Sequence, residues 1–215
     1  MDVKTTKNEL QNILSGTRII GHDTVIQTIA RHLRTGKRTS PLAEEKHQNK
    51  AKETEKLIKF AHQNRMFFDQ IEEENYISEG AEQKVYIKND EYVLKLNDAI
   101  YYASWEDYFF NILLHNYFFP DTAYHLMGFH FDGKILYAVV KQAFVRADSL
   151  TDLENVKTFL ESNGFVNTKN HDYFQPDLGI VLEDLHDENV LSQKGILYFI
   201  DTVFYIQPEI FWENS

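Results

Sequence analysis

The chain has 215 residues, of which 43% are hydrophobic, and it carries a formal net charge of −11. This length and composition suffice for one substantial core, or for a core with a small appendage, and they exclude disorder over the whole chain. No apolar run approaches the ~20 residues that a membrane helix needs, and the N-terminus has no apolar signal segment. There are no cysteines, so disulfides and thiolate metal sites are excluded as well. We expect a cytoplasmic protein that does not enter a membrane.

Charge is distributed unevenly along the chain. Residues 1–65 contain 13 Lys and Arg against 7 Asp and Glu, a net charge of +6, whereas residues 66–215 contain 9 against 26, a net charge of −17. A basic segment before an acidic body is typical of two modules. The acidic body is a poor candidate for binding nucleic acid, which needs clustered cations, but it suits divalent cations. The basic N-terminal helices are a candidate surface for a partner, although such a run is more often a solvated face.

The first 72 residues predict a helical, basic N-terminal region. Leu10, Ile13 and Leu14 mark one short helix. A second helical stripe runs from Val25 to Leu33, and a long polar helix is expected from about residue 42 to residue 68.

From about residue 73 the pattern changes to short strands interleaved with helices. In chain order we predict strands at 76–77, 84–87 and 91–96, an aromatic helix at 104–119, strands at 126–131 and 135–145, an amphipathic helix at 149–163, and strands at 178–182, 190–191 and 197–200. Asn89-Asp90 should turn the second and third strands into a hairpin. Because this order lacks a regular βαβ alternation, it predicts an α+β fold for residues 73–215.

The residues with the clearest chemical pattern lie near the C-terminus. Asp184 is followed five residues later by Asn189, and a hydrophobic strand then leads to Ile200-Asp201. Phosphoryl transfer from ATP needs a carboxylate near the acceptor hydroxyl and oxygen ligands for the magnesium that bridges the phosphates. An Asp and an Asn on one tight loop, with a second Asp after the next strand, meet both needs. The alternative is an ordinary turn with no catalytic role, since Asp and Asn favour turns in any protein.

These motifs resemble the catalytic loop and metal-binding motif of protein kinases, and Ile200-Asp201 also resembles aminoglycoside-type phosphotransferases. The closest resemblance is to the minimal Ser/Thr/Tyr kinase domain of polyvalent proteins from bacterial mobile elements and phages. It covers roughly residues 76–207. The stretches that carry it are Glu79–Gln83, Tyr92–Asp98, Leu114–Asn116, Phe119-Pro120 and Asp184–Leu191. The resemblance implies a protein-kinase-like two-lobe fold, with an N-lobe at about 73–145 and a truncated C-lobe at about 146–215.

The resemblance also implies roles for individual residues. Asp184 would be the catalytic carboxylate, and Asn189 and Asp201 would hold Mg²⁺. Lys95, on a strand that its neighbours Val93, Leu94 and Leu96 indicate is buried, would pair with the α- and β-phosphates of ATP. Its partner would be Glu106, or Asp107, on the helix that follows.

Two further positions would contact the nucleotide. Gly80 stands in the segment 78–85, where the resemblance implies a phosphate loop, and Gln142 begins the segment 142–145 that would lie beside adenine. ATP and Mg²⁺ are therefore the expected cofactors.

The chain departs from the kinase pattern in several places. Leu182-Glu183 replaces the His-Arg that usually precedes the catalytic Asp, so we do not expect control by phosphorylation of an activation loop. Gly80 is the single glycine of the expected phosphate loop, and Asp201-Thr202-Val203 replaces Asp-Phe-Gly. The short stretch after Asp201 predicts the absence of a standard peptide-binding groove.

Three functions remain open from the sequence. The first is a protein kinase acting on Ser, Thr or Tyr, and the second is a small-molecule kinase of the aminoglycoside-phosphotransferase type. The third is a nucleotide-binding pseudokinase that serves as an interaction module. The His-Asp dipeptides at His22, His171 and His186 would suit a metal-dependent phosphohydrolase, but that fold needs its motifs on helices, and His186 lies between strand-like runs. The acceptor and the oligomeric state are not indicated.

Overall fold

The computed structural model describes residues 2–18, 21–34, 43–79 and 83–213, and it consists of helices and antiparallel sheets, which confirms the predicted α+β class. The chain divides into two compact units. The first comprises Met1–Arg18, Phe110–Ala123 and Val145–Ser215, and the second comprises Ile19–Phe109 and Tyr124–Phe144. The predicted helical region 1–72 is thus shared between the two units, and its boundary as a separate domain stays a prediction. No helix in the described ranges combines the length and the apolarity that a membrane span requires.

In the second unit, two N-terminal helices pack against each other. They are α2 (Thr24–Arg34) and α3 (Ala43–Asn64). Ile26, Ile29 and Leu33 of the apolar stripe of α2 are fully buried as their spacing predicts, whereas Val25 is exposed. Lys56 Nζ of α3 donates to the Leu33 carbonyl at 3.3 Å, which ties the C-terminal end of α2 to α3.

The second unit also contains a five-stranded antiparallel sheet in the order β1-β2-β3-β5-β4. Its strands are β1 (Tyr76–Glu79), β2 (Gln83–Ile87), β3 (Tyr92–Asn97), β4 (His125–Asp132) and β5 (Ile135–Ala143). The predicted hairpin of β2 and β3 is confirmed, and Asn89 closes its turn because Oδ1 accepts from the amides of Glu91 (2.9 Å) and Tyr92 (3.1 Å). One face of β3 joins the core through Leu94 and Leu96.

Helix α4 (Trp105–Phe118) follows β3, and its residues belong to both units. In the second unit, Trp105, Tyr108 and Phe109 form an aromatic cluster that reaches Phe129 of β4. At the other end of the helix, Phe118 belongs to the first unit and stacks on Phe204 there, with ring centroids 5.5 Å apart.

The first unit begins with α1 (Val3–Ser15), which buries Leu10, Ile13 and Leu14 as expected. Most of the rest of this unit is built from short elements. They are α5 (Leu153–Ser162), β6 (Val166–Lys169), β7 (Asp172–Gln175), β8 (Ile180–Glu183), β9 (Val190–Gln193), β10 (Ile196–Phe199), β11 (Val203–Ile206) and α6 (Pro208–Phe211). The strands form a four-stranded antiparallel sheet, β11-β8-β7-β6, and the β9-β10 hairpin.

Helix α5 begins later than its sequence pattern predicts. Ser149 forms a β-bridge with Ser192 of β9, which keeps the preceding segment extended. Asp152 then caps the helix, since its Oδ1 accepts from the Glu154 amide at 3.0 Å.

Candidate active site

The loop between β8 and β9 brings Asp184 and Asn189 together. The Asn189 side-chain amide donates to both the carbonyl oxygen of Asp184, at 2.8 Å, and its carboxylate Oδ2, at 2.9 Å. One side chain therefore closes the loop and orients the carboxylate at the other end of it. The Asp184 backbone has φ +66°, a left-handed conformation that Asp adopts more readily than most residues.

A second side chain of the same loop contacts the Asp184 carboxylate. His186 Nδ1 lies 3.3 Å from the amide nitrogen of Glu188 and accepts its proton. Nε2 of the same ring lies 3.4 Å from Asp184 Oδ1 and 3.1 Å from the side-chain nitrogen of Asn189. Nitrogen atoms of Asn189 and His186 thus lie beside different oxygens of the Asp184 carboxylate, while 57% of the side chain stays exposed to solvent.

The backbone of Asp184 is anchored from a neighbouring strand. Asp172, at the start of β7, accepts from the Asp184 amide through Oδ1 at 3.2 Å, and the His171 carbonyl accepts from the Leu185 amide at 3.3 Å. The β7-β8 pairing therefore fixes where the loop begins.

Asp201 joins the same loop through the main chain. The carbonyl oxygen of Asn189 accepts from the amides of Ile200, at 2.9 Å, and Asp201, at 3.3 Å. Because Asn189 bonds Asp184 with its side chain and Asp201 with its carbonyl, it links the three residues that the sequence singled out in this region.

Buried polar contacts hold the chain on both sides of Asp201. His115 of α4 is fully buried, and its Nδ1 lies 2.7 Å from Thr202 Oγ1 while its Nε2 lies 3.0 Å from the Thr122 carbonyl. A carbonyl can only accept, so Nε2 carries the proton and Nδ1 accepts from Thr202. Thr122 Oγ1 in turn donates to the Phe199 carbonyl at 2.5 Å. These contacts fix the position of the chain on both sides of Asp201.

The electrostatics of this loop are dominated by carboxylates. Burial, reinforced by the neighbouring charges of Asp172 and Asp184, raises the pKa of Glu183 above its ordinary value. In the described ranges, no three His, Cys, Asp or Glu side chains lie close enough together to hold a metal ion by themselves. Magnesium does not require such a cage, since it usually keeps waters and binds one or two protein oxygens together with substrate phosphates. The amide oxygen of Asn189 and the carboxylate of Asp201 fit that donor set.

In the second unit, Lys95 lies in the middle of β3, between Val85 of β2 and Val140 of β5. Its predicted burial is confirmed, because 4% of the residue is exposed. The Nζ atom lies 5.4 Å from the centre of the Tyr124 ring, a cation–π contact that partly compensates for the loss of water. Gln142 is buried on β5 opposite Val93. Gly80 lies outside the described residues.

Glu106 is in the first turn of α4, and its Oε1 accepts from Arg34 Nε at 2.7 Å. The alternative residue, Asp107, has a capping role, because the Ser104 hydroxyl donates to its carboxylate at 2.7 Å and accepts from its amide at 3.0 Å. Glu106 is therefore the better candidate, and its pairing with Lys95 stays a prediction. The roles assigned to Asp184, Asn189, Asp201, Gln142 and Gly80 also stay predictions.

Several residues that organise these positions were not identified from the sequence. His186 drew attention as part of a His-Asp dipeptide, which did not indicate its contact with Asp184. Asp172 belongs to a His-Asp dipeptide and His115 to the stretch Leu114–Asn116, but their contacts were not indicated because their partners lie 12 and 87 residues away. Arg34 lies in the basic N-terminal region, and the charge of that region did not indicate a contact with Glu106.

A chain with an Asp-Asn loop, a linked Asp in the bend after β10 and a buried Lys on a strand has the residue set of a kinase-type protein. Residues 50–208 match the family described as the serine/threonine/tyrosine kinase found in polyvalent proteins. The match covers most of the chain, which therefore belongs to this family, and the predicted resemblance is confirmed. The matched range begins at residue 50, within α3, which is earlier than the predicted start near residue 76. No curated protein and no solved structure gives a significant match.

Proposed function

We propose that this chain is an ATP- and Mg²⁺-dependent phosphotransferase that acts on a Ser, Thr or Tyr hydroxyl of a protein. The observation that carries the proposal is the double use of Asn189, which bonds the Asp184 carboxylate with its side chain and the Asp201 amide with its carbonyl. This arrangement supports a site in which the proton acceptor, Asp184, and two oxygen ligands for magnesium, Asn189 and Asp201, are linked to one another. Membership of the kinase family supports the reaction class.

Asp184 would act on the acceptor hydroxyl. The hydroxyl oxygen forms a bond to the γ-phosphorus while the bond from that phosphorus to the bridging oxygen of ADP breaks, and the hydroxyl proton passes to the carboxylate. The contacts from Asn189 and His186 hold the carboxylate in one orientation, and each of its oxygens keeps a second lone pair for the acceptor. General-base positioning of this kind contributes about 10²–10⁴-fold to a rate.

Asn189 and Asp201 would hold the magnesium ion, which supplies neutralisation of the charge on the transferring phosphoryl group. Lys95 would bind the α- and β-phosphates, and its burial strengthens a charge–charge contact relative to one in water. Glu106 would orient Lys95, Gly80 would lie beside the phosphates, and Gln142 would lie beside adenine. The proposal includes a two-lobe, kinase-like arrangement with a short C-lobe.

The proposal is tested by titrating the full chain with ATP by calorimetry, with and without magnesium. We expect magnesium-dependent binding that Lys95→Ala and Asp201→Asn each weaken at least tenfold. The exposed residues Lys134 and Asp177 supply matched controls, Lys134→Ala and Asp177→Asn, which should bind as the wild type does.

Transfer is then measured with ³²P-labelled ATP on protein and small-molecule acceptors. Incorporation into protein that Asp184→Ala abolishes would support the proposed function. Transfer to a hydroxylated metabolite alone would identify a small-molecule kinase, and tight ATP binding without transfer would identify a pseudokinase. Absence of ATP binding in every condition would overturn the proposal.

A further inference from the structure

The start of α4 is held by residues from α3, far upstream in the sequence. Lys50, Glu53 and Thr54 lie on one face of α3, at the spacing that brings side chains together on a helix. Lys50 Nζ donates to the carbonyl oxygens of Ala99 and, at 3.2 Å, Tyr102, both in the loop that leads into α4. This loop contains a left-handed residue, Ala99 with φ +57°, so regular secondary structure does not hold it in place.

Two further contacts from α3 converge on the first residue of α4. Glu53 Oε2 accepts from the Trp105 backbone amide at 2.7 Å, and Thr54 Oγ1 accepts from the indole Nε1 at 2.9 Å. The amides of a first helical turn have no partner within the helix, and here a carboxylate from another helix supplies one. Glu53 is almost completely buried, with 2% exposed. A buried carboxylate is costly unless it is bonded, so this contact ties α4 to α3 at a defined position.

The last residue of α2 adds an ion pair one residue further along α4. Arg34 Nε donates to Glu106 Oε1 at 2.7 Å, and 12% of the Glu106 side chain is exposed. A carboxylate accepts through both oxygens, so this bond is compatible with a second bond from a lysine at Oε2.

These contacts go beyond what α4 needs in order to begin as a helix. Ser104 and Asp107 already form a reciprocal cap at this end. The additional bonds from Lys50, Glu53 and Arg34 constrain the position and rotation of the first turn, and therefore the direction in which Glu106 projects.

We propose that Arg34, Lys50, Glu53 and Thr54 form an α4 clamp, and that Arg34, Lys50 and Glu53 are positioning residues of the phosphotransferase because they orient Glu106 toward Lys95. This inference rests on the proposed function, in which Glu106 pairs with Lys95. It gives the basic N-terminal helices α2 and α3 a role within the same chain. Lys50, Glu53 and Thr54 lie inside the range that matches the kinase family, and Arg34 lies upstream of it.

The first test compares Arg34→Gln with Arg31→Gln, since Arg31 is an exposed arginine on the same helix. We expect Arg34→Gln to lower kcat for phosphoryl transfer about tenfold, because misplacement of a positioning group impairs alignment. The Kd for ATP should change less than about threefold, and Arg31→Gln should match the wild type. Equal rates in the two variants, or a faster Arg34→Gln, would overturn the proposal; the faster variant would mean that Arg34 withholds Glu106 instead of orienting it.

A second test does not depend on activity. Hydrogen–deuterium exchange of the amides of residues 99–108 is measured for Lys50→Gln and Glu53→Ala against the exposed controls Lys52→Gln and Glu55→Ala. We expect at least about fivefold faster exchange in the clamp variants, with exchange in β4 and β5 unchanged, which excludes global unfolding. If the wild type transfers no phosphate but the clamp variants exchange faster, the proposed function fails and the clamp stands as a structural device. If the wild type is active and exchange is unchanged, the clamp fails alone.

A charge exchange separates the ion pair from the lysine contact. The double variant Arg34→Glu/Glu106→Arg restores opposite charges at this pair but offers Lys95 no carboxylate. We expect exchange in residues 99–108 to recover relative to either single variant, while transfer stays at least tenfold below wild type. Recovery of both properties would show that Glu106 does not act through Lys95 and would overturn the positioning role.

Discussion

The Asp184–Asn189 loop and the first turn of α4 are both held by several polar contacts, but over very different distances along the chain. The side-chain contacts of the loop join residues 3, 5 and 12 positions apart. The contacts of α4 with Arg34, Glu53 and Thr54 join residues 72, 52 and 51 positions apart. A locally closed loop keeps its geometry when distant parts of the chain change. A turn held by long-range contacts depends on the packing of other helices.

This difference predicts that substitutions in the loop lower the rate of phosphoryl transfer with little effect on the free energy of unfolding. Substitutions at long-range contacts should mainly lower the free energy of unfolding. The largest effect on chemistry should come from Asp184→Ala. We expect phosphoryl transfer to fall about 10³-fold, because the acceptor proton loses its base. The Tm should stay close to that of the wild type, since the side chain is largely exposed. Single-turnover transfer and thermal unfolding check both parts, and a large fall in Tm would show that the loop is not locally closed.

The largest effect on stability should come from Gly128→Ala in β4. Gly128 has φ +146°, and an added Cβ would lie 2.2 Å from the Met66 carbonyl oxygen, where the segment 66–68 pairs with β4. We expect a loss of about 3 kcal/mol in the free energy of unfolding, since neither backbone can move without breaking these bonds.

Gly133→Ala is the control for this prediction. Gly133 also has a positive φ, +59°, but an added Cβ there would meet nothing within 4 Å. Its cost should be confined to the backbone conformation, about 1 kcal/mol. Urea unfolding measures both variants, and equal losses would contradict the close approach of Met66.

His186→Asn should have an intermediate effect on chemistry. The variant removes the imidazole whose Nε2 lies 3.4 Å from Asp184 Oδ1, while the contact from Asn189 to Asp184 stays in place. We expect kcat to fall about tenfold, with the KM for ATP unchanged, because orientation and not nucleotide binding is lost.

The neighbouring His171 is the matched control, because it contributes its main-chain carbonyl to the loop, which His171→Asn preserves. A parallel rise in the KM for ATP in His186→Asn would instead indicate a direct contact of the imidazole with the nucleotide.

The smallest effect should be a stabilisation by Glu183→Gln. Burial and the charges of Asp172 and Asp184 raise the pKa of Glu183 above 4.5, so the folded state binds the proton more tightly than the unfolded state does. The ionised carboxylate therefore costs stability at pH 7, and this cost disappears as the pH falls through the raised pKa toward 4.5. We expect a slightly higher Tm than wild type at pH 7 and no difference near pH 4.

Glu188→Gln, an exposed neighbour in the loop, should leave the Tm unchanged at both pH values. A gain for Glu183→Gln that persisted below pH 4.5 would contradict the assignment of the effect to ionisation.

Features with local causes could be predicted from the sequence. The β2-β3 hairpin follows from Asn89 between two apolar strands, and the buried position of Lys95 follows from its apolar neighbours. The proximity of Asp184 and Asn189 follows because a loop of this length holds its two ends close together. The kinase family was recognised from these stretches, since family motifs are short and contiguous.

Features that depend on distant partners could not be predicted in this way. Strands β6, β7 and β11 were missed, and each of them forms by pairing within the β11-β8-β7-β6 sheet. The late start of α5 depends on the bridge from Ser149 to Ser192.

The sequence by itself determined the α+β class, the family and the candidate residues Asp184, Asn189 and Asp201, because each of these is encoded by short stretches of neighbouring residues. Only the tertiary structure decided that Asp201 is held beside Asn189 with support from His115, and that the start of α4 is held by Glu53 and Arg34. When two contacting residues are far apart in the sequence, the residues around either one do not indicate its partner. The packing of whole helices and sheets selects that partner, since burial makes an unpaired charge costly.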